Sequence, residues 1–192
     1  AERLDRLYYL IARLKEAGIY VTIDLYTTRI PAREDVPHIE IRSLHDFRAA
    51  LPLVPSVREN FKAFARKLLT HRNPYTGNEY RREPAIFSIC VVNENLLPAP
   101  WKRQPQLPAL YRRAFADWCA GKGIAVPAAF DDSPEFRRFL LDLQQQTYDR
   151  LSGFLRDELG VRALLSDNNN GESMSQTPER ATLDYADFHG YW

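Results

Sequence analysis

Glu94 is the residue whose type and position best suit it to chemistry. It follows Ala85-Ile86-Phe87-Ser88-Ile89-Cys90-Val91-Val92, a largely apolar run, with Asn93 in between. A carboxyl group emerging from an apolar wall is partly desolvated, and desolvation favours its protonated form. Such a group keeps a proton for a leaving group near neutral pH, which is general acid/base work. The Asn93 amide beside it can hold a substrate hydroxyl. A glutamate after a strand is also an ordinary loop residue, so position alone leaves both readings open.

Three other polar clusters follow apolar runs: Asp24 with Tyr26, Asp167 to Asn170, and His189 with Tyr191 and Trp192. Sites in barrels and open α/β sheets are built at the C-terminal edge of the strands. Strands also simply end where polar loops begin. Four clusters together, with His, Trp, Tyr and Glu among them, favour a site. His38, His45, His71 and His189 have no metal-ligand spacing, and Cys90 and Cys119 read as buried free thiols. The expected chemistry needs no cofactor and no metal. No Gly-rich turn joins a strand to its helix, which argues against a flavodoxin-like phosphate-binding sheet.

The elements that must position these residues alternate along the chain. Leu4, Leu7, Ile11 and Leu14 have the spacing of one buried helix face over 2–17, and Gly18 stands at the stop. Ile19 to Tyr26 reads as a strand buried on both faces. Residues 27–55, with Pro31, Pro37, Pro52 and Pro55, read as a long irregular excursion of the kind that is usually functional. Ser56 and Glu59 fit a capping box that opens the next helix. Asn73-Pro74-Tyr75-Thr76-Gly77-Asn78 is turn chemistry. Ala85–Val92 is the second strand. A Pro-rich stretch then leads to a helix through Leu110, Tyr111, Phe115 and Trp118. Ser133-Pro134-Glu135 starts a further helix that extends toward Gly160. Val161–Ser166 is a third strand, and Ala186–Trp192 a fourth.

This order predicts an α/β fold of about four parallel strands with helical crossovers. A complete (β/α) barrel needs eight strands and about 250 residues. The expectation is therefore a partial TIM (β/α)8 barrel, with residues 1–192 as one domain. The 26 basic and 25 acidic side chains nearly cancel, so charge points to neither nucleic acid nor an anionic membrane. The longest apolar runs are too short to span a bilayer, and no signal peptide is visible. Nothing indicates the compartment.

One segment is more specific. His71-Arg72-Asn73-Pro74-Tyr75-Thr76-Gly77, then Glu83-Pro84-Ala85-Ile86, then Val92-Asn93-Glu94-Asn95 resembles clan A glycoside hydrolases of the cellulase-like type. Leu4 to Tyr26 looks like their second helix and third strand. Phe188-His189-Gly190-Tyr191-Trp192 resembles their sixth strand. The resemblance implies O-glycosidic hydrolysis of β-linked saccharides by a retaining double displacement, with Glu94 as general acid/base. It also implies that Asn93 binds the hydroxyl next to the anomeric carbon and that His189 and Tyr191 orient substrate and nucleophile. Asp24 and Tyr26 join the substrate-binding set. Many relatives carry a His after the third strand, where this chain has Leu25-Tyr26-Thr27-Thr28.

Retaining enzymes need a second carboxyl group. In the resembled family it is a Glu at the end of the seventh strand, so the nucleophile is expected outside this chain. The expected partners are an oligo- or polysaccharide and either a second copy or the missing barrel half, because open sheet edges pair with other chains. The alternative is a non-catalytic carbohydrate-binding or interaction module derived from such a barrel.

Overall fold

The computed structural model describes residues 2–95, 101–167, 169, 180–187 and 189–190. Helix α1 spans Glu2–Glu16 and buries Tyr8, Ile11 and Ala12. Leu4, Leu7 and Leu10 remain exposed, so the buried face is narrower than the apolar spacing predicts. The helix stops at Gly18, whose φ of 72° is the left-handed conformation glycine adopts without cost. The Ile19 N–H reaches back to the Leu14 carbonyl at 2.9 Å and the Gly18 N–H to Lys15 at 3.0 Å, which satisfies two orphan acceptors.

Strands β1 (Val21–Asp24), β2 (Ile86–Cys90) and β3 (Leu164–Ser166) form a parallel sheet in the order β1-β2-β3. Asp24 is level with Cys90, and Cys90 with Ser166, so the three C-terminal ends lie side by side. Helices α2 (Leu44–Ala50) and α3 (Pro55–Leu69) occupy the first crossover, α4 (Leu107–Lys122) and α5 (Pro134–Gly153) the second. The fold is thus α/β with a small three-stranded parallel sheet.

Two expectations are corrected. The 27–55 excursion contains α2, started by Ser43, whose Oγ accepts the Asp46 N–H at 3.2 Å. The Ser56–Glu59 capping box does not form, because α3 begins on Pro55 with Val54 as its uncapped entry. Proline lacks the N–H a cap would satisfy, so Ser56 already lies inside the first turn. The expected fourth strand, 186–192, lies partly outside the described residues; within it His189 is a bridge residue, its N–H donating to the Asn169 carbonyl at 2.6 Å. The outer side of β3 is occupied by Asp184, whose carboxylate takes the Leu165 N–H at 2.7 Å and whose own N–H reaches the Leu165 carbonyl at 3.1 Å. Arg156 pairs with the same carboxylate. Asp184 thereby takes both outward backbone groups of Leu165.

The core joins two aromatic groups. Tyr26 stacks on Phe47 with ring centroids 3.7 Å apart and meets Phe61 and Phe64. Trp101, Tyr111, Phe115, Phe136 and Phe139 pack between α4 and α5. The Tyr111 hydroxyl donates to the Ala49 carbonyl at 2.8 Å, tying α4 to α2. Ser133 caps α5 by accepting the Phe136 N–H at 3.0 Å, as its sequence predicts.

The turn before β2 is a structural staple. Buried Asn73 donates to the Tyr8 carbonyl of α1 at 3.0 Å and accepts the Tyr75 N–H at 2.9 Å. Gly77, at φ 74°, closes the turn with a bond to the Asn73 carbonyl. Glu83 is buried and takes Lys15 Nζ at 2.6 Å, Asn78 Nδ2 at 3.1 Å and the Ala85 N–H at 3.2 Å. Burial alone would raise its carboxyl pKa, but Lys15 and the hydrogen bonds outweigh it and hold it below the usual range. These contacts set where β2 starts, and with it where Glu94 emerges.

Candidate functional site

The chain leaves β2 through Val91 and Val92, whose N–H groups go to the Ser166 carbonyl and the Asp167 carboxylate, each at 2.8 Å. Asn93 N–H reaches the Tyr26 carbonyl at 3.1 Å, and its Nδ2 reaches Thr27 Oγ1 at 3.2 Å. Neighbouring strand ends therefore hold the backbone up to residue 93. At Glu94 φ turns to +46°, a conformation that costs a non-glycine residue roughly 1–3 kcal/mol and persists only when its surroundings impose it.

What imposes it is visible. The Glu94 N–H donates to Asn169 Oδ1 at 2.5 Å, and Arg48 donates to the Asn93 carbonyl. The Glu94 side chain then points to His189, with Oε1 2.9 Å from Nδ1. Its Oε2 lies 4.0 Å from Arg48 Nη2. Glu94 and His189 are each about a third exposed, so the pair is reachable from solvent while its supports are not. The Arg48 side chain is only 6% exposed. Burial pulls its guanidinium pKa down, while Glu94 and Asp167 oppose the shift. Nearby, Asp167 is fully engaged as an anchor, since its second oxygen accepts Asn95 Nδ2 at 3.0 Å.

The structure brings Glu94, Asn93, His189 and Asp24 together at one sheet edge. Asp24 has a raised carboxyl pKa, first from desolvation, then from the charges of Asp187 and Glu94, with His189 pulling the other way. It does not bring Tyr26. The Tyr26 side chain is wholly buried against Phe47, and its hydroxyl accepts from Arg29 at 3.3 Å. Burial pushes that phenol up to about 12. This corrects the expectation that Tyr26 lines a subsite: the strand ends at Asp24, the chain bends over residues 25–28, and the aromatic ring gains more by entering the core. Tyr191 lies outside the described residues.

Arg48 and Asn169 are the site residues that sequence reasoning missed. Arg48 carried a usable signal. It sits in Phe47-Arg48-Ala49-Ala50-Leu51, and a lone charge in such a run needs a buried partner. Asn169 was visible only as one member of the Asp167–Asn170 cluster.

A cleft of about 690 Å³ lies elsewhere, between Arg33–Asp46 and Arg103–Gln106, and none of Glu94, His189, Asp24 or Arg48 lines it. The strand-end cluster is the better candidate site, because it has convergent titratable groups and a strained backbone. Among the described residues no three His, Cys, Asp or Glu side chains are grouped as metal ligands.

Comparison with known proteins gives a partial answer. No family model matches the chain, and no solved structure matches it. A segment of 40 residues, 21% of the chain, is 48% identical to mannan endo-1,4-beta-mannosidase 5 of Arabidopsis thaliana. Mannan endo-1,4-beta-mannosidase 2 of the same plant matches over 40 residues at the same identity. Over that stretch the chain is similar to plant glycoside hydrolases. The matched stretch spans 9% of each plant protein, so it carries a likeness to glycoside hydrolases and no detail of mechanism.

Proposed function

We propose that this chain carries the acid/base half of a retaining glycoside hydrolase acting on β-linked polysaccharide, with β-mannan the first substrate to test. The observation that carries the reading is Glu94. It stands at the C-terminal edge of a parallel sheet in a left-handed conformation, with its carboxylate on His189. The likeness to plant mannan endo-1,4-beta-mannosidases supports the substrate class.

In this mechanism Glu94 protonates the glycosidic oxygen as the bond from the anomeric carbon breaks. A second carboxylate forms the covalent glycosyl intermediate, and Glu94 then takes a proton from the water that releases it. The two groups stand about 5–5.5 Å apart in retaining enzymes. Asp167 is occupied by Val92 and Asn95 and is unsuited to that role. The nucleophile is a glutamate outside this chain, supplied by the rest of the barrel. Asn93 and Asp24 contact the sugar, and His189 orients Glu94. The outer strand β1, flanked by an apolar groove of about 350 Å³, meets the remaining barrel or a second copy.

The test uses the longer protein that contains this segment. It should cleave β-1,4-mannan with retention of anomeric configuration, and Glu94→Gln should lower kcat by about 10²–10⁴-fold. Saccharide binding without turnover by the longer protein would overturn the enzymatic reading and favour a carbohydrate-binding module. The 192-residue chain by itself should not turn over glycosides.

A further inference from the structure

The hydrogen bonds around Glu94 form a chain whose direction is set at one end. A backbone N–H only donates. The Glu94 N–H points at the Asn169 side chain, so the atom it meets is the amide oxygen, Oδ1, at 2.5 Å. The other amide atom is then the NH2 group, which only donates. It lies 3.0 Å from His189 Nε2. That ring nitrogen must present its lone pair. In a neutral imidazole the proton is therefore on Nδ1, 2.9 Å from Glu94 Oε1, where a carboxylate oxygen accepts it. The His189 backbone is fixed in the same unit, since its N–H donates to the Asn169 carbonyl at 2.6 Å.

We infer that Asn169 is a positioning residue that locks His189 as the Nδ1–H tautomer and so fixes which oxygen of Glu94 carries a transferable proton. The lock needs all three bonds. An Nε2–H, in either the other tautomer or the imidazolium, would face the Asn169 NH2 group. Turning the Asn169 amide over would relieve that clash but would set NH2 against the Glu94 N–H. The backbone at Glu94, already at φ +46°, thereby selects the side-chain protonation pattern. The tautomer assignment stands on geometry alone. Its consequence rests on the proposed acid/base role of Glu94. Oε1 accepts from Nδ1–H whether Glu94 is ionised or protonated, so the proton exchanged with substrate sits on Oε2, the oxygen nearer Arg48.

Nitrogen-15 NMR of the labelled chain tests this directly. His189→Gln identifies the His189 signals among the four histidines. Near neutral pH the wild type should show a pyrrole-type Nδ1 and a pyridine-type Nε2, opposite to the preference of free histidine. Asn169→Asp keeps an acceptor for the Glu94 N–H and gives Nε2 a second one. The Nε2 signal should then move from pyridine-type to protonated. Asn169→Ala removes the donor, and the preference for Nδ1–H should be lost. A wild-type Nε2–H tautomer would overturn the inference, as would an unchanged Nδ1–H pattern in a folded variant. The readout does not depend on turnover. Lack of glycosidase activity with the NMR pattern intact would sink the functional proposal and leave the tautomer lock standing.

Discussion

The ends of β1 and β2 carry nearly the same sequence signal and come to opposite uses. Both strands are apolar runs followed by polar or amphipathic residues, Asp24-Leu25-Tyr26 in one and Asn93-Glu94-Asn95 in the other. After β1 the chain bends over residues 25–28, and Tyr26 turns inward to stack on Phe47. After β2 the backbone enters the left-handed region at Glu94, and the carboxyl group turns out toward His189. The two ends are also linked, because the Tyr26 carbonyl holds the Asn93 N–H. One end is thus a support and the other is what it supports. The polar residue that matters is the one whose backbone is forced out of the regular path by hydrogen bonds from neighbouring elements.

That contrast can be broken by mutation. Tyr26→Ala should have the largest effect on stability, about 3–5 kcal/mol in urea denaturation, because a buried aromatic leaves a cavity in the core. Next comes Arg48→Ala, at about 3 kcal/mol. It removes the buried cation from the Asn93 carbonyl and from beside Glu94. A cost below about 1 kcal/mol would mean that Arg48 does not support the strand end. Tyr26→Phe keeps the ring and loses only the contact with Arg29, so about 1 kcal/mol is expected. Glu94→Gln should change stability by less than about 1 kcal/mol, since the group is partly exposed. If Glu94→Gln destabilised the fold as much as Tyr26→Ala, the distinction between support and site would fail.

The smallest effect concerns pH. The Asp24 carboxyl pKa is raised in the folded chain, so folding favours its protonated form. Its ionisation costs nothing below the unfolded value near 3.8 and weakens the fold as pH rises through the folded value. Asp24→Asn should therefore gain stability relative to wild type at neutral pH and show no gain at strongly acidic pH. Paired urea titrations at the two pH values measure it; equal differences at both would show that Asp24 is not perturbed.

Much of this was legible along the chain. The helix stop at Gly18, the Ser133 cap and the three strands follow from local rules, because a turn, a cap or an apolar run acts within a few residues. One local signal was overridden. Pro55 took the start of α3 from Ser56. Helix α2 was hidden by the prolines around it, although Ser43 and Asp46 mark its start.

The sequence by itself determined that a carboxylate and an amide would stand at a strand end, and that a turn over Asn73-Pro74-Tyr75-Thr76-Gly77-Asn78 would precede that strand. Only the tertiary structure decided that Tyr26 is core, that Arg48 is buried beneath the site, and that Asn169 joins Glu94 to His189. The reason is distance along the chain. Arg48, Asn169 and His189 lie tens of residues from Glu94 in sequence, and no local propensity encodes a hydrogen bond whose partners meet only when the parallel strands align.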